Sequence, residues 1–308
     1  MTKESTALDQ ARGAFRDELV DAGLLHRTGV DGVYHRSRTF EGVVRAVEAL
    51  VHRAGAGTAE PERHLPPVMD RSILVRNDYL RSFPDLIGSV AVFTGGDAEH
   101  AELLRTVEDG ADWSKSLTSS EVVLPPATCH PIYPELTGVL PPGGRSIEVF
   151  GFCFRHEPSI DPTRMQVFRQ VEYIRVGTPD VALEHRDTWL GRGLEVLSAL
   201  GLPVRKEVAN DPFFGRVGRI LARGQRDEAL KYEIVCPVVS EQAPTAISSS
   251  NYHLDHFGLP FGIATDDGEV AHSACIGFGL ERITLALLRT HGMDPAGWPT
   301  ATRAQLWD

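Results

Sequence analysis

The sequence has few cysteines and no long uncharged apolar run. Cys129, Cys153, Cys236 and Cys275 are far apart and form no CxxC pair. Their spacing predicts neither a disulfide framework nor a zinc ribbon, so buried free thiols are the simplest interpretation. No run of 18 apolar residues occurs, and the amino terminus lacks the apolar stretch of a signal peptide. We therefore expect a cytoplasmic protein without a membrane partner.

Basic residues are outnumbered by acidic ones. The chain contains 31 Lys and Arg against 42 Asp and Glu, which gives a formal net charge of −11. This balance disfavours loose, charge-driven binding to nucleic acid but is compatible with local basic patches. With 308 residues and 42% hydrophobic content, the chain can bury one large core, with or without a small appendage.

Helical periodicity divides the chain into two parts. Residues 1–60 contain two helix-like stretches, 10–25 and 40–55, and predict a small amino-terminal helical lobe. Residues 61–308 contain the remaining strand and helix patterns and are predicted to form the catalytic domain. No internal repeat or low-complexity tract is present.

The segment 151–173 reads GFCFRHEPSIDPTRMQVFRQVEY and has the pattern of two strands joined by the loop PSIDPT. Charged residues, Arg155, Glu157 and Arg164, interrupt its apolar alternation. A guanidinium stays charged and can grip phosphate oxygens with two parallel donors. Phe168 could stack on a purine, and Glu157 could accept from its exocyclic amine. The set predicts an ATP site on the hairpin.

A second arginine-bearing element lies near the carboxyl end. The sequence GFGLER places Arg282 at the start of a predicted helix that ends at Gly292. There the positive end of the helix dipole reinforces the attraction to phosphate. Any one of these arginines is explained equally well as a surface or ion-paired residue. The ordered combination of hairpin, strands and terminal helix is more specific than its parts.

This combination resembles motifs 2 and 3 of class II aminoacyl-tRNA synthetases, over roughly residues 65 to 295. The resemblance implies an α+β fold, with an antiparallel sheet flanked by helices, and a homodimer formed through a motif 1 segment at about residues 68 to 93. It also implies ATP as substrate, with Mg²⁺ bridging the phosphates. The implied roles are Arg155 on the α-phosphate, Glu157 on the adenine amine, Arg164 on the γ-phosphate, Phe168 and Arg282 on either face of the base, and Met165, Lys231 and the backbone of Ala246 and Ile247 as further ATP contacts.

One position departs from the seryl-type pattern. Where such enzymes have a Glu before a run of serines, this chain has Thr245 in TAISSSN. Metal binding by that strand is therefore in doubt, and Glu233 or Glu241 could take over the role.

The chain also resembles atypical seryl-tRNA synthetases, whose zinc ligands match Cys129, Glu172 and Cys275. Two thiolates and a carboxylate hold Zn²⁺ and leave one tetrahedral position open, which could receive the amino group of an amino acid. From spacing alone, a lone cysteine is more often a small buried hydrophobe, and we expect Cys153 and Cys236 to pack in this way. Competing ligand candidates are His130, His253, His256 and His272.

The length, the HLDHFG segment and the zinc triad resemble the amino acid:[carrier protein] ligases, which are truncated relatives of those synthetases. This implies adenylation of a small amino acid, glycine or alanine, and its transfer to the phosphopantetheine thiol of a carrier protein. Only about 16 residues follow Gly292, so we expect no tRNA partner.

A basic stripe predicts where the carrier protein docks. The sequence predicts a helix from Asp211 that would carry the stripe opposite an apolar one, and carrier proteins are typically acidic. The stripe residues are Arg216, Arg219 and Arg223. A solvated helix face is the alternative interpretation.

Two other functions remain open from the sequence. One is a minimal tRNA-charging enzyme whose core alone recognises the acceptor. The other is a non-catalytic, synthetase-like amino acid sensor, against which the presence of Arg155, Arg164 and Arg282 argues.

Overall fold

The computed structural model describes residues 3–211, 214, 224–225 and 228–308. The helices in these ranges are α1 (Lys3–Asp21), α2 (Arg38–Gly55), α3 (Ser72–Arg76), α4 (Tyr79–Ser82), α5 (Asp97–Glu108), α6 (Pro179–Ala199), α7 (Gly258–Phe261), α8 (Leu280–His291) and α9 (Thr300–Trp307). The strands in the same ranges are β1 (Leu25–Arg27), β2 (Tyr34–Arg36), β3 (Glu60–His64), β4 (Met69–Asp70), β5 (Ser89–Val92), β6 (Thr118–Val123), β7 (Gly138–Val139), β8 (Arg145–Phe154), β9 (Val167–Gly177), β10 (Arg205–Ala209), β11 (Lys231–Cys236), β12 (Thr245–Leu254), β13 (Ile263–Ala264) and β14 (His272–Gly279).

A seven-stranded sheet organises the molecule, in the order β10-β11-β12-β14-β9-β8-β3. Neighbouring strands run antiparallel, except that β3 runs parallel to β8. Three smaller sheets pair β1 with β2, β13 with β7, and β4 and β5 with β6. The antiparallel sheet with flanking helices is the α+β architecture that the sequence predicted.

The sheet buries a hydrophobic cluster on each face. Alternation along β9 directs Val171 and Tyr173 into one cluster, while Ile174 belongs to the other. The first cluster also contains Phe15 of α1 and Phe40 of α2, packed with residues of α6 and α8. The first 60 residues therefore share a core with the rest of the chain. The division into a lobe and a catalytic domain stays a prediction.

Local sequence signals set the helix ends. Ser37 precedes α2, and its side chain accepts a hydrogen bond from the backbone N–H of Phe40, which satisfies a donor that the helix leaves unpaired. As predicted, α6 begins with Pro179 directly after Thr178, and α8 stops at Gly292, the residue that follows His291. Pro at the first position costs no hydrogen bond because that N–H has no partner in a helix.

The central hairpin differs from its sequence prediction in extent. β8 begins at Arg145, six residues before the start of the quoted segment, and it ends at Phe154. β9 begins at Val167 rather than at Arg164. The predicted placement of Arg155 and Glu157 on a strand is thus wrong, and both lie in the connection. The connection contains Pro158 and Pro162. Because proline has no N–H to donate to a strand ladder, strand pairing does not continue through this segment.

The predicted carrier-docking helix lies outside the described residues. Its basic stripe, Arg216, Arg219 and Arg223, belongs to the range 215–223. Among the helices described, none has the length and apolar character needed to cross a membrane.

Candidate active site

The hairpin and the start of α8 meet at one end of the central sheet. β14 pairs with β9 so that Gly279 lies opposite Gln170, and Arg282 follows in the first turn of α8. The connection between β8 and β9 closes over the same end, where the Arg155 N–H donates to the Gln166 carbonyl at 2.9 Å. Two segments that are distant in sequence therefore face one cleft.

The cleft has a volume of about 380 Å³ and is lined mainly by charged and polar side chains. Its cationic residues include Arg155, Arg164, Lys231 and Arg282. Glu157 and Glu233 also line it, whereas Glu241 is exposed. A concave site with several convergent cations is suited to a polyanion such as a nucleoside triphosphate.

Backbone carbonyl groups fix Arg282 at the base of the cleft. Its Nε donates to the Thr163 carbonyl at 2.8 Å, and its Nη1 donates to the Ala246 carbonyl at 3.0 Å. Burial, with the repulsion of Arg164 and Arg155, lowers the pKa of Arg282 to about 10. Arg282 is still charged at neutral pH, and an anion in the cleft would relieve the repulsion among these cations.

Arg155 and Arg164 are held in different ways. The Nε of Arg155 donates to the Pro126 carbonyl at 3.0 Å, and its guanidinium lies 5.5 Å from the centre of the Phe168 ring. Arg164 is half exposed and donates to Glu157 at 3.0 Å. Arg155 is thus fixed beside the sheet, whereas Arg164 and Glu157 pair at the mouth of the cleft.

A narrow crevice beside the cleft collects the residues predicted to hold the base. Phe168 and Arg282 line it together with Met165, whose side chain is buried. Ala246 lines the main cleft. Ile247 is buried in the hydrophobic cluster, and its role as a backbone contact of ATP stays a prediction.

Lys231 belongs to a buried ionic network on the opposite wall. Its Nζ lies 2.5 Å from an oxygen of Asp211 and 3.3 Å from Glu233. Gln225 donates to Asp211 from its side chain and accepts from the Asp211 N–H. Burial alone would raise the pKa of Asp211, but Lys231 and Gln225 outweigh it and lower that pKa to about 2. Asp211 is therefore ionised and holds Lys231 in place.

Cys129, Glu172 and Cys275 come together on the same side of the sheet as Phe168. One donor atom from each lies within 4.8 Å of the other two, and all three residues are buried. Glu172 shares its face of β9 with Phe168 because the two are four residues apart on a strand. The charge of Arg155, which lines the cleft, acts on Glu172, so the triad is a neighbour of the cleft.

The donor set of the triad fits a zinc ion. Zinc binds sulfur at about 2.3 Å and carboxylate oxygen at about 2.0 to 2.2 Å, so two donors in a tetrahedral site lie roughly 3.5 to 3.8 Å apart. The donor atoms of the triad lie within 4.8 Å of one another, so a small inward movement would bring them to this spacing. One oxygen of Glu172 accepts from the Thr128 N–H, whereas the other, Oε2, is buried without a hydrogen-bond partner among the described residues. A cation would satisfy that oxygen.

Protonation of the triad is tightly linked. Burial and the proximity of Cys275 raise the pKa of Glu172 to about 8. The hydrogen bond between the cysteines raises the pKa of Cys129 and lowers that of Cys275. A cation bound here would displace the protons of the three ligands. It would also neutralise their negative charge, which burial disfavours.

The histidines that compete as metal ligands differ in their contacts. His253 Nε2 lies 3.6 Å from Cys275 Sγ, so it borders the triad, and His272 Nδ1 lies 2.6 Å from the Tyr252 hydroxyl. Burial, with repulsion from His256, lowers the pKa of His130 to about 3. Within the described residues, the group that satisfies the ligand distances contains the triad alone. Of the other cysteines, Cys153 and Cys236 are buried as expected.

The sequence analysis missed several residues of the site. Asn251 Nδ2 lies 3.8 Å from Cys275 Sγ, and Tyr133 places a buried, unpartnered hydroxyl near the triad in the described structure. Asp161 and Arg12 line the cleft. An Asp-Pro turn is a recognisable signal for Asp161, but the position of Arg12 depends on tertiary packing.

The fold is of the class II aminoacyl-tRNA synthetase-like type. The solved complex of M. kandleri SerRS with A. aeolicus tRNASec matches 94% of this chain and 59% of that chain, with a TM-score of 0.81 at 22% identity. Seryl-tRNA synthetase from Pyrococcus horikoshii, solved with ATP, matches 90% of this chain and 58% of that chain, with a TM-score of 0.67 at 14% identity.

Sequence comparison narrows this class to a family. The chain is 42% identical over 291 residues to Amino acid--[acyl-carrier-protein] ligase 1 of Bradyrhizobium diazoefficiens, which covers 93% of this chain and 88% of the relative. The chain belongs to the family of amino acid--[acyl-carrier-protein] ligases. No protein-family model matches the sequence.

Proposed function

We propose that the protein activates a small amino acid, glycine or alanine, with ATP and transfers it to the phosphopantetheine thiol of an acidic carrier protein. The observation that carries this proposal is the convergence of Arg155 and Arg282 on one cleft that lies beside the Cys129, Glu172 and Cys275 triad. The named ligase relative supports a carrier protein as the acceptor. The ATP-bound synthetase neighbour supports ATP as the substrate.

In the first step, the amino acid carboxylate attacks the α-phosphorus of ATP and pyrophosphate leaves. Arg155 neutralises charge on the α-phosphate, Arg164 on the γ-phosphate, and Arg282 and Phe168 cover the adenine base. Arg155 and Arg282 are catalytic because their charges stabilise the transition state, and Glu157 accepts from the adenine amine. Met165, Lys231, Ala246 and Ile247 complete the contacts with ATP. Glu233, a carboxylate within the cleft, would hold Mg²⁺, which when bound would supply further neutralisation of the phosphate charge.

The triad selects the amino acid. When bound by Cys129, Glu172 and Cys275, Zn²⁺ supplies an open coordination position for an amine. All three ligand residues are buried, and an amine held there would direct the carboxylate of the amino acid towards the α-phosphorus. In the second step, the pantetheine thiol attacks the carbonyl carbon of the adenylate and AMP leaves, so no side-chain nucleophile is required.

The acceptor is expected to be an acidic carrier protein that docks on Arg216, Arg219 and Arg223, which lie outside the described residues. Charge reversal at Arg216 and Arg219 should abolish carrier loading and leave adenylate formation intact. Arg205→Glu is the matched control, because Arg205 is an exposed arginine on β10 that pairs with Glu207. Equal carrier loading by the wild type, the charge-reversal variant and Arg205→Glu would contradict the docking site.

The test of the function is ATP–pyrophosphate exchange across the twenty amino acids, followed by loading assays with carrier protein and with tRNA. We expect exchange with one or two small amino acids and a thioester on the carrier protein. Aminoacylation of tRNA instead would identify a minimal synthetase. Absence of exchange, with amino acid binding retained, would identify a sensor.

A further inference from the structure

The first helix forms part of the wall of the nucleotide cleft. Leu8 and Arg12 of α1 line the cleft together with Arg155, Lys231 and Arg282. None of the residues that the sequence assigned to ATP lies in α1. The position of α1 therefore raises the question of what it contributes to nucleotide binding.

Arg12 holds the connection between β8 and β9 through Asp161. The Nε of Arg12 lies 2.9 Å from Oδ2 of Asp161, whose side chain is only 6% exposed. The other oxygen of Asp161 accepts from the Thr163 N–H at 2.9 Å and from its hydroxyl at 2.8 Å. The Asp161 carbonyl accepts from the Arg164 N–H at 3.0 Å. Asp161 thus fixes the turn that leads directly into Arg164.

The turn between β1 and β2 holds the other end of the same connection. The Gly32 carbonyl accepts from the Gln166 N–H at 2.8 Å, and the Asp31 carbonyl accepts from the Gln166 side chain at 2.8 Å. Gly32 has φ +77°, and a Cβ there would lie 3.1 Å from the Arg164 carbonyl. Only glycine readily combines this conformation with so close an approach. The segment 3–36 therefore contacts the connection on both sides of Arg164.

The ion pair between Arg12 and Asp161 is well placed to act on ATP binding. The side chain of Arg12 is 27% exposed, and it also pairs with Asp9 at 3.0 Å. Most of its charge is therefore balanced within the protein, and its effect on the nucleotide passes through the geometry of the connection. Ordering that connection before ATP arrives reduces the entropy lost on binding.

We propose that Arg12 is a positioning residue of the ATP site, which acts through Asp161 to hold Arg164 in its binding geometry. The ligand is a nucleoside triphosphate, and the inference rests on the proposed ATP-dependent function. In this arrangement, α1 completes the cleft that the hairpin and α8 begin. Arg12 influences the affinity for ATP rather than the chemical step.

The experiment compares Arg12→Gln with Arg16→Gln in ATP–pyrophosphate exchange. Arg16 lies one turn further along α1 and pairs with Asp17 rather than with the connection. We expect Arg12→Gln to raise the KM for ATP roughly tenfold, which corresponds to about 1.4 kcal/mol. The kcat and the KM for the amino acid should change less than about twofold, since bound ATP itself holds Arg164 in place once the substrate complex has formed. Arg12→Lys, which keeps the charge, should restore most of the affinity.

Three results would overturn the proposal. These are an unchanged KM for ATP in Arg12→Gln, an equal rise in Arg16→Gln, or an equal rise in the KM for the amino acid. If Arg12→Gln does not fold, Asp161→Asn provides the same readout, since an amide oxygen can still accept from Thr163. Calorimetric titration with a non-hydrolysable ATP analogue tests Arg12 even if no amino acid supports exchange, so failure of the proposed function remains distinguishable.

Discussion

Glu172 is the site residue at which burial and charge are most opposed. Its side chain is buried, burial raises its pKa to about 8, and its Oε2 has no hydrogen-bond partner among the described residues. An unpaired buried carboxylate costs several kcal/mol unless a proton or a cation neutralises it. The adjacent thiols of Cys129 and Cys275 are ligands that favour zinc. At the scale of the residue, the metal proposal depends on a buried carboxylate oxygen of Glu172 that has no hydrogen-bond partner in the described part of the chain.

Replacing Cys275 by Ser should remove bound zinc and amino acid activation together. A serine hydroxyl does not ionise near neutral pH, so the site loses one of its two thiolate ligands. We expect the zinc affinity to fall by more than about 100-fold, the upper end of the effect of losing an outer-shell partner. Zinc content per chain, measured after dialysis against a chelator, reports this loss independently of activity.

Cys236→Ala is the matched control for Cys275→Ser. Cys236 is also buried, but it packs in the hydrophobic cluster on the other side of the sheet. This variant should retain its zinc and its ATP–pyrophosphate exchange. A Cys275→Ser protein that exchanges at the wild-type rate without zinc would refute the triad as the amino acid site.

At the scale of elements, the hairpin was predictable because its pattern is local. Strict alternation in VFRQVEY predicted β9, and GFGLER followed by apolar periodicity predicted β14 and α8. The early start of β8 was missed because Ser146 and Glu148 occupy the less buried face of that strand and the charged Arg145 opens it, so its first half resembles a loop. Partners distant in sequence, such as Arg169 with Glu281 at 2.8 Å, leave no local pattern.

Contacts between residues that are distant in sequence were unpredictable in the site as well. The arginines were predictable because their motifs are short and ordered along the chain. The Arg12 contact with Asp161 was not, because it joins α1 to the hairpin connection. Glu281 also lay in a recognised motif, yet nothing local indicated that it accepts from the Arg169 backbone and side chain. Tertiary ion pairs of this kind are set by packing rather than by propensity.

A cluster centred on His52 links four elements away from the cleft. His52 of α2 lies 2.5 Å from Glu148 of β8 and 3.0 Å from Glu62 of β3, and Glu48 is 3.9 Å away. The Tyr173 hydroxyl of β9 donates to Glu148. Burial would lower the pKa of His52, but the carboxylates outweigh it and raise that pKa to about 9. The ring is therefore charged in the folded protein at neutral pH.

The His52 cluster predicts a loss of stability at alkaline pH. The folded pKa exceeds the unfolded value of 6.5, so the contribution is complete below about pH 6.5 and is lost as the pH rises through about 9. After allowance for partial exposure, we expect about 1 to 2 kcal/mol. Urea unfolding at pH 6 and at pH 9.5 should show this loss in the wild type but not in His52→Gln. His100→Gln, which changes an exposed histidine of α5, should behave like the wild type.

At the scale of the whole molecule, one region contributes no buried residue to either hydrophobic cluster. Helix α5 contains no buried residue, although it is flanked by β5 and β6 of the three-stranded sheet. Large apolar side chains are exposed along this region, at Val92, Phe93, Leu104, Val107 and Trp113. We call residues 89–117 the arm. An apolar surface of this kind on an isolated chain is typical of an interaction site.

We expect the arm to form a homodimer interface. β5 is an edge strand of its sheet, and it lies within the segment that the resemblance to class II synthetases assigns to dimerisation. Pairing with the arm of a second copy would cover both the open strand edge and the apolar face of α5. Light scattering coupled to size exclusion should therefore give about twice the chain mass of 33.7 kDa.

Leu104→Glu combined with Val107→Glu should convert the dimer to a monomer, because burying two unpaired carboxylates in an interface costs several kcal/mol. Leu183→Glu is the control, since Leu183 is an exposed leucine on α6, away from the arm. The double variant should retain its far-UV circular dichroism, because neither side chain packs in the monomer core. A wild-type protein that is monomeric at about ten micromolar would exclude the interface. A double variant that remains dimeric, while Leu183→Glu dissociates, would place the interface elsewhere.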